Sequence, residues 1–167
     1  MKNLIFTILF ISAFLIAACE SNTTERSIGF VTGENSDTNW HLGTQDAIDI
    51  VSTVDKLWAN QDYEGMRPYF ADSVEVIQPD GTYTNTFDSF IESLNTQDFP
   101  SWSYNYAFSV DLDPAIGGEH VQAGFSVNYP ATENSEEYTD LHHESYYVVD
   151  GKIITLNQFA IRGNSNE

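Results

Sequence analysis

The stretch LHHESYYVVDGKIITLNQFAI, residues 141–161, decides the fold. Two β-prone runs, 141–149 and 153–161, are separated by Asp150-Gly151-Lys152. An Asp-Gly pair between apolar runs supplies the positive φ angles of a tight hairpin turn. Upstream, Trp102, Tyr104, Tyr106, Phe108, Val110 and Leu112 alternate with smaller or polar residues, and Val121, Ala123, Phe125, Val127 and Tyr129 repeat the alternation. That period turns one side of each strand toward a core. Gly117-Gly118 and residues 130–137 read as the loops between the runs.

A two-residue turn at Asp150-Gly151 fixes an expected register. Val149 faces Lys152, Tyr147 faces Ile154, Ser145 faces Leu156 and His143 faces Gln158, all on one side with Leu141 and Ala160. The other side holds His142 beside Phe159, Glu144 beside Asn157 and Tyr146 beside Thr155. His142 and His143 then point to opposite faces and cannot pair on a metal. A bulge in either strand would exchange the two sides.

Ahead of the sheet the period changes. Ala47, Ile50, Val51, Val54, Leu57 and Trp58 follow the three-and-four spacing of an amphipathic helix running to about Ala59, with Thr44 as its cap. Residues 63–70 form a shorter segment that Pro68 keeps irregular. Residues 72–78 read as a strand stopped by Pro79-Asp80-Gly81. Thr86 caps a further helix through Leu94, with Phe87, Phe90, Ile91 and Leu94 on its apolar side.

The chain has 167 residues, room for one domain. Met1-Lys2-Asn3 precedes an apolar run from Leu4 to Ala18 that is too short for a good membrane span and suits a secretory leader. Cys19 is the only cysteine, so no intramolecular disulfide can form. Residues 20–39, rich in Ser, Thr, Asn and Glu, read as a flexible tether, within which Ile28, Phe30 and Val31 allow a short docking segment. A formal net charge of −19 disfavours nucleic acid as a partner. No metal cluster, nucleophile elbow or phosphate loop stands out, and no cofactor is expected.

Ile16-Ala17-Ala18-Cys19 after such a leader resembles the bacterial lipoprotein signal. The resemblance implies a signal peptide over 1–18, lipidation of Cys19, and a tether over 19–43 that holds the protein to a membrane through its lipid. Glu20 beside the lipidated residue resembles lipoproteins sorted to the outer membrane of the cell envelope.

Residues 45–162 resemble the SnoaL-like group of the nuclear-transport-factor-2-like superfamily. The likeness is carried by the helix ending near Trp58, Asp62-Tyr63, Tyr69-Phe70-Ala71-Asp72, the strand into Pro79-Asp80-Gly81, and Tyr147-Val148-Val149-Asp150-Gly151-Lys152-Ile153. It implies an α+β domain over 44–163: a cone-shaped fold with three N-terminal helical segments packed on a curved antiparallel sheet. It also implies a pocket inside the cone and a homodimer through the outer sheet face. Members include isomerases, cyclases and dehydratases as well as binding proteins, so the fold names a pocket and leaves its use open.

In the isomerase-like members the hairpin side holding Ile154, Leu156 and Gln158 faces the pocket, which makes His143 the expected pocket histidine. Its near-neutral titration suits proton transfer, with Asp72 orienting it and Tyr63 presenting a phenol. Trp58, Tyr69, Tyr104, Tyr106, Tyr147, Leu156 and Gln158 are the expected contacts to a small hydrophobic molecule. The residues do not display the full set of a buried carboxylate base and a tyrosine oxyanion site. Binding therefore ranks ahead of the alternative, a small cyclase, isomerase or dehydratase using general acid–base chemistry.

Overall fold

The computed structural model of the chain describes residues 27–94, 100–114, 117–133 and 135–163. The expected leader and Cys19 lie outside the described residues. One sheet of seven strands has the order β1-β4-β5-β6-β7-β2-β3. The strands are β1 (His41–Leu42), β2 (Phe70–Ile77), β3 (Tyr83–Thr84), β4 (Ser101–Asp111), β5 (Glu119–Tyr129), β6 (Tyr138–Val149) and β7 (Lys152–Arg162). Neighbours are antiparallel except β2 and β7, which run parallel. Three helices, α1 (Gln45–Ala59), α2 (Tyr63–Met66) and α3 (Phe87–Ser93), complete an α+β fold in which helices pack on a curved sheet.

Local chemistry sets the helix ends. The Thr44 hydroxyl accepts from the Ala47 N–H at 3.3 Å and donates to Glu119 Oε1 at 2.7 Å, so the cap also pins α1 to the start of β5. Asp62 accepts from the Gly65 N–H at 2.9 Å, and α2 ends in a 3-10 turn, Arg67–Tyr69, that contains Pro68. Thr86 and Ser89 cap α3 reciprocally.

Ala47, Val51 and Val54 of α1 meet Val121, Ala123, Phe125 and Val127 of β5 in the core. At the other end Phe70 packs against Phe87 and Phe90, with ring centroids 5.1 and 6.2 Å apart. Burying each such side chain contributes roughly 1.5–3 kcal/mol. In the stretch expected as a tether, Ile28 and Phe30 stay exposed. Ile28 bridges Trp40, and it is His41–Leu42 that join the sheet, through the pairing of β1 with β4.

The turn forms as expected: Asp150 has φ 49° and Gly151 φ 78°. Val149 faces Lys152 and Val148 faces Ile153, but the next pair is Tyr147 with Thr155. Ile154 is therefore an extra residue in β7, and the regular register ends there. Beyond it Tyr146 faces Leu156, Glu144 faces Gln158, His143 faces Phe159 and His142 faces Ala160. The expected pairs Tyr147–Ile154, Ser145–Leu156 and His143–Gln158 are each displaced by one residue, and beyond Ile154 the two faces of β7 exchange relative to β6. Further irregularities in β4, between Tyr104 and Tyr106, and in β2, between Phe70 and Glu75, add local bending.

Candidate functional site

A cavity of about 430 Å³ opens between α1 and the concave side of the sheet. Its walls are apolar and aromatic: Trp58 from α1, Trp102 from β4, Phe125 and Val127 from β5, with Leu94 and Pro130 at the rim. Trp58 stands edge-on to Phe90 at 5.3 Å and to Trp102 at 6.2 Å, so the two indoles brace each other across the α1–β4 contact.

Glu144 and Tyr146 come from β6 and Gln158 from β7, and all three line the cavity. Glu144 Oε2 accepts from the Tyr146 hydroxyl, and Oε1 accepts from Gln158 Nε2 at 2.6 Å. Glu144 is only 7% exposed. Burial pushes its carboxyl above the usual range, the two hydrogen bonds oppose that shift, and the charge of Asp55 adds to it. Burial, with Glu144 next to it, likewise pushes the Tyr146 phenol well above its ordinary value.

Asp55 enters the cavity from α1, and its Oδ1 accepts from Trp102 Nε1 at 2.7 Å. Burial raises its carboxyl too, against the lowering effect of the indole N–H and of Lys56. His142 Nε2 lies 3.4 Å from the Tyr129 hydroxyl, and burial lowers its pKa. The Tyr129 ring stacks on Tyr138 at 4.8 Å. The cavity thus combines two carboxyls, a neutral imidazole at pH 7 and several phenols within apolar walls. This set can orient a polar group of a bound molecule, or exchange a proton with it.

Of the residues expected from sequence, Trp58 and Gln158 line this cavity. Leu156 is fully buried in the core, paired with Tyr146. Tyr104 faces inward and stacks on Phe125 at 4.8 Å, backing the wall without lining it. Tyr63 and Tyr69 pack against the core away from the cavity, and the Tyr63 hydroxyl is buried with no hydrogen-bond partner among the described residues. Asp72 is exposed, in a separate recess with Arg67, Thr86 and Asp88.

His143 and Tyr147 lie on the outer face of the sheet, because β6 pairs without interruption with β5 and its even-numbered positions face the core, and Tyr106 of β4 lies on the same outer face. His143 Nε2 is 2.8 Å from Gln122 Oε1, and Nδ1 is 3.2 Å from the Tyr106 hydroxyl. Gln122 Nε2 donates onward to Ser145 at 2.8 Å. Since Gln122 thereby presents its carbonyl oxygen to the ring, the neutral imidazole carries its proton on Nε2 and accepts at Nδ1. Tyr147 stacks on His120 at 4.5 Å. The three residues expected to act together, His143, Asp72 and Tyr63, are not brought together.

His142, Glu144 and Tyr146 are site residues that the expected register turned away from the pocket, and Asp55 of α1 joins them in the cavity. Apolar residues alternate on both sides of β6, with Tyr146 and Val148 against Tyr147 and Val149, so the pattern alone does not choose a face. Among the described residues no group of three or more His, Cys, Asp or Glu is arranged to hold a metal ion.

No protein-family model matches the chain, and no curated protein matches it. Solved structures do. An M. tuberculosis LEH-like epoxide hydrolase aligns with a TM-score of 0.54 and 10% identity, over 71% of this chain and 84% of that one. The S. rosetta CaMKII hub aligns with a TM-score of 0.58 and 12% identity, over 70% of this chain and 95% of the hub. An NTF2-like protein from Cytophaga hutchinsonii ATCC 33406 gives 0.52 and 10%, over 68% and 88%. At these identities the likeness is one of fold: helices closing the concave side of a curved sheet.

Proposed function

We propose that this NTF2-like cone is a receptacle for a small, mainly apolar molecule carrying a polar group, displayed at the bacterial cell envelope by a lipid on Cys19. The observation that carries the reading is the cavity itself. Aromatic walls surround a buried carboxyl already oriented by Tyr146 and Gln158, the pattern of a binding site that is largely pre-formed. The test is native mass spectrometry of the protein against small hydrophobic molecules extracted from the producing cells. Saturable binding that Val127→Trp abolishes supports the reading, and its absence overturns it.

The leader and the Ile16-Ala17-Ala18-Cys19 ending support the anchor and its outer-membrane site. Metabolic labelling with an alkyne fatty acid should mark the protein, and Cys19→Ser should remove the label. Self-association through the outer sheet face belongs to the same proposal. Tyr106, Phe108, Leu141, Phe159 and Ile161 expose apolar surface there, and Ile161 is 72% exposed.

General acid–base catalysis on the bound molecule is the second reading. Glu144 favours it, as a carboxyl raised by burial and hydrogen-bonded to a phenol within the cavity. Deuterium exchange into the extracted ligand in D2O, lost in Glu144→Gln, would support this reading over simple binding.

A further inference from the structure

We infer that the molecule held in the cone is a small organic cation, a protonated amine on an apolar body; this rests on the receptacle reading and names its ligand class. Asp55 approaches from α1 and Glu144 from β6, so carboxyls from opposite layers face one cavity. Among the described residues no lysine or arginine lines it. Lys56 is exposed, and Arg162 packs over the Tyr138 ring at 4.6 Å without lining the cavity.

The remaining titratable groups at the wall are His142, Tyr129, Tyr138 and Tyr146, with Tyr104 behind it. None of them supplies a positive charge at pH 7, since burial keeps the imidazole neutral. An anionic ligand would enter a low-dielectric site beside two carboxyls with no compensating cation, the costliest arrangement for a charge. An alcohol would be tolerated, yet it would leave the two carboxyls opposing each other.

An ammonium answers both features. Each Glu144 oxygen accepts one hydrogen bond, and an ionised carboxylate has about four acceptor positions, so lone pairs remain for a further donor. Trp58 and Trp102 present ring faces and edges in the same cavity, and indoles are the best side-chain partners for a cation. At longer range, the net charge of −19 gives the whole chain a field that draws cations toward such a cleft and repels anions. Burial raises both carboxyls, and the positive charge of an entering ammonium favours their ionised forms.

The experiment is titration calorimetry of the purified full chain at pH 7.5 with two probe sets of constant body and varied head. One set is tryptamine, tryptophol and indole-3-acetate; the other is 1-adamantanemethylamine, 1-adamantanemethanol and 1-adamantanecarboxylate. The amine should bind at least tenfold more tightly than the alcohol in one set or both, with the acid weakest throughout. Asp55→Asn and Glu144→Gln should each weaken the amine at least tenfold and leave the alcohol within threefold. If the alcohols bind and the amines bind no better, the cation inference is overturned while the receptacle reading stands. If none of the six binds, the inference is overturned, and the extract screen decides separately whether the receptacle falls with it.

Discussion

Gln158 Nε2 donates to Glu144 Oε1 across 2.6 Å, and the two residues meet because β7 carries one residue more than β6 between the turn and this pair. With Ile154 bulged, the even-numbered residues of both strands share the concave face. A regular hairpin would have placed Asn157 opposite Glu144 and turned Gln158 outward, opposite His143. The partner of the buried carboxyl, Gln158 or Asn157, thus depends on a single inserted residue.

Glu144 predicts an unusual pH dependence. Its folded-state carboxyl is raised above the ordinary value of 4.5, so the stability it contributes is complete below that value and is lost as pH rises through the raised one. Glu144→Gln removes this loss. Each tenfold change in the protonation equilibrium corresponds to about 1.4 kcal/mol. Thermal unfolding at pH 8 should show the variant more stable than the native protein, with the difference vanishing near pH 4. Equal melting profiles for both proteins across that range would contradict the buried carboxyl.

His142 and His120 should titrate in the opposite sense. Burial lowers both imidazoles from 6.5, partly offset by Asp140 for His142 and by Asp111 for His120. The unfolded chain therefore takes up protons first, and their contribution is lost as pH falls from about 6.5 through the lowered folded values. Nitrogen-detected NMR titration should place both midpoints below 6.5, and a midpoint above it for His142 would place that ring outside the cavity wall.

Gly124 lets the Tyr106 ring lie across β5 to reach His143: a Cβ at that position would collide with the ring. The colliding atoms belong to the far end of a half-exposed side chain, so the ring can move at modest cost. Gly124→Ala should leave the fold intact, at an expense of about 1 kcal/mol, and break the Tyr106–His143 contact. The His143 ring chemical shifts should then change while those of His142 do not.

Phe90 is fully buried and touches both Trp58 and Phe70. Phe90→Ala should cost about 3–5 kcal/mol in urea unfolding. It should also loosen Trp58, so ligand affinity should fall even in conditions where the variant remains folded. An unchanged affinity would mean that the indole is held by Trp102 alone.

Leu141 and Phe159 are each 57% exposed on the outer face. Leu141→Lys with Phe159→Lys should convert a dimer to a monomer in sedimentation velocity. Monomer stability should change by no more than about 0.5 kcal/mol per exposed site. A wild-type protein that is monomeric at micromolar concentration would remove the outer-face dimer from the proposed function.

The α+β class, the helix starting at Thr44, the capped helix after Thr86, the Asp150-Gly151 turn and the four long strands were all legible in the sequence. Each rests on local chemistry: a side-chain cap, a positive φ, or a hydrophobic period. The strand that pairs at His41 was not legible, because two residues carry no period and their partner is on β4, far along the chain. The side of β6 that enters the cone was likewise decided only in three dimensions. Both of its faces offer apolar residues, and the bulge at Ile154 arises where β7 bonds antiparallel to β6 on one edge and parallel to β2 on the other. Local preference can announce a hairpin, whereas the geometry of three strands closing together determines where one of them yields a residue. That choice brings Gln158 to Glu144, while the unbroken pairing of β6 with β5 holds Glu144, Tyr146 and His142 in the cavity and leaves His143 outside.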